Sequence, residues 1–485
     1  MADNDFGLLD GAGRNPGQSW DPRTGESAED VSKEPKPMED AETEAAVEVH
    51  LEDRLQRRNI VLYVFKWCLI YFAAPVLYVG FVQAGLCKRL GASDFVANLP
   101  SAAYLLLAAF PMIMAWAVPQ VRHLRLVMTI GYTITAVMGA VTATVLWLPA
   151  PNWLRIGVVI AHGAIVACSS GTAWVFEWEF LGRGVSQSRR GLLFASTFSI
   201  GPLCAVVGSL GAQLIINNEV FGWTPQFWRE IPYPVNYTVL YGATLPLMLL
   251  AALLVSGYVV PLPAVEFRRK PFIIGVFGGF RRFIGYRLIL IACIAYLLIY
   301  SGNMIQNNMV LYTREAVGSA EDAFVGYQHA IRFGCKVFAG LMLGWLLKVT
   351  NPRMNLFVTA LLAISGVVWI LSVGPLFGGG LLFLVAFGLN GAGELMGFYY
   401  PYYVLCLSPK SQMRRNMAFV MLLSAPVGLA PALFGLISDR WDLTASFWAA
   451  LALMVAALIL VTWALPARPR PRPEDLEPAD LVKET

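Results

Sequence analysis

The chain reads SQSRRGLLFA at residues 186–195 and SQMRRNMAFV at residues 411–420. Each stretch sets a Ser-Gln pair and a double arginine directly before an apolar run, and the two lie 225 residues apart, so one helical unit occurs twice. A weaker pair, SDFVANLPSA at 93–102 and DAFVGYQHAI at 322–331, repeats at a similar offset of 229. Two halves in parallel repeat are therefore expected.

Composition says what the halves are made of. Of the 485 residues, 57% are hydrophobic and 14% charged, against about 45–50% and about 25% in an ordinary soluble domain. A soluble fold of this size would lack the polar side chains to cover its surface. Apolar runs of roughly 20 residues recur instead, each long enough at about 1.5 Å per residue to cross a hydrocarbon core of about 30 Å. Twelve spans are expected, at 59–84, 97–119, 125–148, 154–180, 191–215, 235–261, 286–311, 323–347, 354–374, 379–406, 416–438 and 446–465. The fold class is thus an all-α membrane protein with twelve transmembrane helices in two six-helix pseudo-symmetric halves.

Charge placement orients them. Residues 1–53 hold 15 acidic residues against 4 basic ones and too few apolar side chains to offset the entropy of ordering, so a disordered acidic tail is expected. With the N-terminus cytoplasmic, 22 Lys and Arg fall near helix ends on the inner side, from Arg54, Arg57 and Arg58 through to Arg468, Arg470 and Arg472. Six fall outside: Lys88, Arg89, Arg155, Arg229, Arg314 and Arg440. This asymmetry favours twelve spans with both termini cytoplasmic in the cell (inner) membrane. The expected organisation is a tail over 1–53, an N-terminal half over 54–262, a basic cytoplasmic linker over 263–285, a C-terminal half over 286–466 and a cytoplasmic tail over 467–485. The linker, EFRRKPFIIGVFGGFRRFIGYR at 266–287, reads as an amphipathic segment lying at the headgroups. No basic region with a short apolar core opens the chain, so the first span is expected to act as the insertion signal.

Several classes of function are excluded. The seven cysteines are scattered through apolar runs without disulfide or metal spacing. There is no Walker loop, no H-E-x-x-H and no G-x-S-x-G, so neither an ATP-driven pump nor a membrane hydrolase is indicated; no enzyme activity, cofactor or metal is expected. The basic balance belongs to the membrane face and does not suggest nucleic acid.

Two six-helix halves, cytoplasmic termini, a basic central loop and short basic loops within each half resemble the major facilitator superfamily (MFS) of secondary transporters, over about residues 58–466. The loops where that family carries a Gly- and Asp/Arg-containing signature read AWAVPQVRHLR (115–125) and GWLLKVTNPR (344–353), keeping the bases and lacking the acid. GLISDR (435–440) resembles the signature but falls on the outer side, after span 11. Gly201-Pro202 resembles part of the antiporter motif, with Ala205 and Val206 where paired glycines would stand. The resemblance implies alternating access about a midplane site lined by the first and fourth helices of each half, with the second and fifth contributing.

Charges within a bilayer cost about 2.5–3.5 kcal/mol each on insertion scales, so they mark candidate sites. Six stand out: Lys66, Glu177, Glu179, Arg332, Lys336 and Glu394. Arg332 and Lys336 are one turn apart on span 8, and Glu394 sits on span 10 with Asn390 a turn away on the same face. A pair between either cation and Glu394 is expected, serving proton exchange or release of a cation to an anionic solute; a permanent structural ion pair is the alternative. Lys66 and Glu177 would meet as an inner gate pair, unless Lys66 snorkels to the headgroups. Glu179 is placed to bridge Arg183. Asn303, Gln306 and Asn307 share a face of span 7 and contact either ligand or a neighbouring helix, with Gly302 beside them as a point of local opening. Trp174, a turn before Glu177, is a candidate for stacking on a solute. His329, near the Arg332 face, is a candidate for proton coupling.

The function so indicated is secondary active transport of a small organic solute, anionic or zwitterionic, with protons as the candidate coupling ion, by a monomer in the lipid bilayer. Efflux of amphiphilic compounds and a transport-inactive scaffold or sensor are the alternatives.

Overall fold

The computed structural model describes residues 51–470 apart from 79, 119, 226–229, 262–278, 378–379, 409–415, 417–418 and 421. Nearly all of the acidic tail, most of the basic linker, the SQMRR of the second repeat and the end of the C-terminal tail lie outside the described residues.

The third helix shows why this sequence needs lipid. Leu126, Ile130, Ile134, Val137 and Val141 recur every three or four residues and are all exposed, while Met128, Tyr132, Thr135, Ala136 and Gly139 on the other face are buried. In water this is inverted amphipathicity; against hydrocarbon it is stable. Among the described residues ten helices are long and apolar enough to cross a membrane, which makes the chain a multi-pass membrane protein.

Their order follows the expected spans. The N-terminal half comprises α1 (Asp53–Phe72, Ala74–Leu77 and Phe81–Arg89), α2 (Asp94–Leu106 and Phe110–Ala117), α3 (Leu124–Trp147), α4 (Asn152–Gly184), α5 (Gln187–Asn217) and α6 (Val235–Gly242 and Thr244–Ser256). The C-terminal half comprises α7 (Arg287–Asn303 and Gln306–Leu311), α8 (Val325–Val349), α9 (Pro352–Phe377), α10 (Val385–Gly393 and Met396–Cys406), α11 (Ser424–Val427 and Leu429–Arg440) and α12 (Leu443–Ala464). The broken α1 and the α11 segments stand at the expected first and eleventh positions without being among the ten.

Three of the four helices expected to line the centre are interrupted. α1 breaks around Ala73 and again before Phe81, α7 at Met304–Ile305, and α10 at Glu394–Leu395. Irregular backbone at membrane depth survives only inside protein or beside a cavity, and α2, α6 and α11 are interrupted as well. The break in α7 follows Gly302 directly. Gly302 itself serves close packing, since a Cβ there would stand 2.7 Å from Met454 Cγ and 3.0 Å from the Ala450 carbonyl of α12.

The halves are bolted together at the end that holds the α1–α2 and α7–α8 turns. The buried Asp322 carboxylate accepts from Arg89 at 2.6 Å and from the Tyr237 hydroxyl at 2.8 Å, and its carbonyl accepts from Asn217 at 3.2 Å. Gln213 of α5 donates to the Ala323 carbonyl at 2.8 Å and accepts from the Gly326 N–H at 3.0 Å. Any side chain at Gly326 would collide with α5, because its Cβ would lie 2.5 Å from the Ser209 carbonyl. Asn98 donates to Asn308 at 2.7 Å and accepts from Asn307 at 3.1 Å.

GLISDR closes the same end from the other side. Asp439 accepts from the N–H groups of Asp94 at 2.7 Å and Phe95 at 3.0 Å, placing a carboxylate on the exposed donors at the N-terminus of α2. The segment that resembles the family signature thus makes a helix-capping contact between the halves, and it forms the last turns of α11 rather than a loop after it.

At the opposite end each half ties to itself. Asn59 of α1 bonds Gly184 and Val259 within the N-terminal half, and Arg353 bonds Leu465 within the C-terminal half. Gly340 and Gly344 of α8, one turn apart below the tight Gly326 contact, face open space.

Truncating one partner of a buried hydrogen-bonded charge pair costs about 2–5 kcal/mol, and even one or two kcal/mol moves a two-state population by a factor of about 5–30. Asp322→Ala is expected to open the bolted end, and Asp439→Ala, which removes an exposed cap on two backbone N–H groups worth about 0.5–2 kcal/mol, to open it to a smaller extent. Faster alkylation of a cysteine placed at Ser101, or a longer spin-label distance between the α1–α2 and α7–α8 turns, checks this.

Candidate functional site

Glu394 occupies the turn that interrupts α10, and its position follows from close packing. A Cβ at Gly391 would lie 2.6 Å from the Arg332 carbonyl, and one at Gly388 would lie 2.7 Å from Cys335 Sγ, so glycines let α10 settle directly on α8. That contact brings the Glu394 carboxylate onto both cations of α8. Arg332 donates through Nε at 3.0 Å and Nη2 at 2.5 Å, the bidentate fork that suits a carboxylate, and Lys336 completes a three-membered cluster. All three side chains keep some exposure, between 11% and 19%, so a solute can still approach them.

Aromatic rings from both halves close over the cluster. The Arg332 guanidinium lies 4.9 Å from the Phe81 ring, and Lys336 Nζ lies 5.0 Å from the Phe333 ring. Phe333 in turn meets Tyr71 and Tyr78 of α1 edge-on at 6.3 and 5.6 Å. These contacts cross the middle of the bundle. They join the halves through ring faces and edges in place of the hydrogen bonds of the bolted end.

His329 sits beside them, fully buried, 4.4 Å from the Phe81 ring and 6.1 Å from the Phe333 ring; neither nitrogen has a hydrogen-bond partner among the described residues.

The second charge pair lies in the N-terminal half. Lys66 of α1 donates to Glu177 of α4 at 2.6 Å, and Tyr132 of α3 donates to the same oxygen at 2.6 Å. Lys66 is wrapped by the rings of Tyr63 and Trp67 at 4.7 and 4.1 Å. Lys66 and Glu177 are 0% and 1% exposed, which excludes snorkelling of Lys66 in this state. Glu179, on another face of α4, bridges Arg183 at 3.1 Å.

The amides separate into two groups. Asn307 is engaged with Asn98 at the bolted end, and its neighbour Asn308 donates to Ser438 and Ser446 at 2.7 and 2.9 Å. Among the described residues, Asn303 and Asn390 are buried with no partner for either side-chain atom, and Gln306 has none for Nε2. Trp174 is 41% exposed and lines a cleft of ≈160 Å³ with Trp67, Tyr78, Tyr104, Tyr132 and Met248 among its walls.

Sequence reasoning did not find Tyr132, Phe81, Phe333 or Tyr78, because aromatic residues abound in every span and nothing local distinguishes these. Asp322 and Arg89 were visible only as a repeat fragment and a loop charge.

The arrangement is that of a polytopic α-helical bundle with ionised groups at its centre. In solved structures the bundle is similar to the E. coli xylose transporter XylE in a partially occluded inward-open conformation, with a TM-score of 0.59 and 13% identity over 85% of this chain and 100% of that one. It is similar to the nucleoside transporter NupG, TM-score 0.59 and 12% identity over 84% of this chain and 98% of that one. A peptide transporter POT in complex with sulfate gives a TM-score of 0.57 and 15% identity over 86% and 97%. The chain therefore has the fold of the major facilitator superfamily. No family model and no curated protein matches the sequence.

Breaking a buried ion pair by removing one partner costs about 3–5 kcal/mol, whereas replacing both partners by apolar residues is often near neutral. Lys66→Met is therefore expected to lower the thermal unfolding temperature of the purified protein markedly. Adding Glu177→Leu should recover most of the loss, which a double-mutant cycle on melting temperatures measures.

Proposed function

We propose that the chain is a secondary transporter, not an enzyme, that carries a small anionic or zwitterionic organic solute by alternating access, with protons as the coupling ion. The observation that carries this reading is the cluster of Arg332, Lys336 and Glu394 at the break in α10, two cations on one carboxylate with access left to a solute. Neighbours with this fold are named as transporters of xylose, nucleosides and peptides, which supports transport as the activity.

The basic residues at the helix ends put both termini in the cytoplasm. In that orientation the bolted end is extracellular and the central site faces inward. A solute anion competes with Glu394 for the guanidinium and the ammonium; the freed carboxylate takes up a proton, and its departure restores the cluster. Glu394 would thus couple proton and solute, Arg332 and Lys336 would hold the solute, and Asn303, Gln306 and Asn390 are unsatisfied groups available to it when the halves rock. Lys66 and Glu177, tied by Tyr132, hold α1 to α4 so that the N-terminal half moves as one body.

Glu394→Gln tests the coupling. In proteoliposomes this variant is expected to keep its expression level and its binding of anions while losing the dependence of solute flux on a proton gradient. Proton-driven flux equal to that of the unaltered protein would sink the assignment of Glu394.

A further inference from the structure

Resting on that reading, we propose that the solute is an aromatic monocarboxylate, held by its carboxylate at Arg332 and Lys336 and by its ring in the cleft between α1, α2 and α4 beside Trp174.

The charge count selects a single negative charge. Two cations face one carboxylate in the C-terminal cluster, a surplus of one. The next cation along the site, Lys66, is already neutralised by Glu177 and fully buried, so among the described residues it offers no second positive charge to a second carboxylate. A cationic solute would meet the surplus directly and be repelled.

The cleft selects the rest of the molecule. Its volume of ≈160 Å³ is close to the roughly 150 Å³ apolar cavity known to admit a benzene ring. Its walls are Trp67, Tyr78, Tyr104 and Trp174 with Met248, surfaces that favour offset or edge-on ring contacts and sulfur–ring contacts.

The two parts adjoin. Tyr78 lines the cleft and also meets the Phe333 ring at 5.6 Å, and Phe333 lies 5.0 Å from Lys336 Nζ. One aromatic ring thus separates the ammonium from the cleft wall, a span that an arylacetate can cross.

Binding of phenylacetate, acetate and 2-phenylethylamine to the purified full chain, by isothermal titration, decides the matter. Phenylacetate is expected to bind at least ten-fold tighter than acetate, and 2-phenylethylamine not to compete. Trp174→Ala, an exposed position whose truncation leaves the core intact, should weaken phenylacetate several-fold and leave acetate unchanged. Equal affinities for phenylacetate and acetate, or a Trp174→Ala variant with an unaltered ratio, would overturn this proposal while leaving the anion transporter standing. Binding of neither acid would overturn both, as would amine binding that matches phenylacetate.

Discussion

An ionised group in hydrocarbon has no water to answer it, so it must be answered by protein, and the centre of this molecule is arranged around that requirement. The Glu394 carboxylate is met by a bidentate arginine and a lysine, and the contact exists only because Gly388 and Gly391 let α10 lie against the α8 backbone. At the break the backbone stays hydrogen-bonded through turns, the Glu394 N–H to the Asn390 carbonyl at 2.9 Å and the Gly397 N–H to the Glu394 carbonyl at 3.0 Å, so it is the side-chain charge that has to be answered by α8.

The same requirement explains the difference between the two ends. Where Arg89, Asp322, Tyr237 and the asparagines join the halves, buried polar groups are paired across the interface. Asp439 adds a carboxylate at the start of α2, whereas the loops at 115–125 and 344–353 hold bases with no acid. The acid needed to cap a facing helix is thus present at one end and missing from the loops of the other. Between the two ends the halves meet through ring contacts among Tyr71, Tyr78, Phe81, His329 and Phe333.

Most of the fold was legible because its signals are local. A run of apolar residues shows its length to any reader, and lipid rewards that length whatever lies next to it. The intramembrane charges were legible for the same reason, since their cost depends on depth. Pairings were less so. Lys66 was open to snorkelling until Glu177 and Tyr132 were seen to enclose it, and the three amides of α7 shared one face in sequence yet divide between the bolted end and unpartnered burial.

The sequence by itself determined a multi-pass helical protein in two halves and the six charges that had to be answered within the bilayer, because hydrophobic length and charge cost are properties of single segments. Only the tertiary structure decided which cation meets which carboxylate, which rings enclose them, that GLISDR caps α2 and that one end is closed. Those outcomes depend on approach distances between helices far apart in the chain, set by glycines such as Gly326 and Gly391 whose effect appears only when another backbone arrives against them.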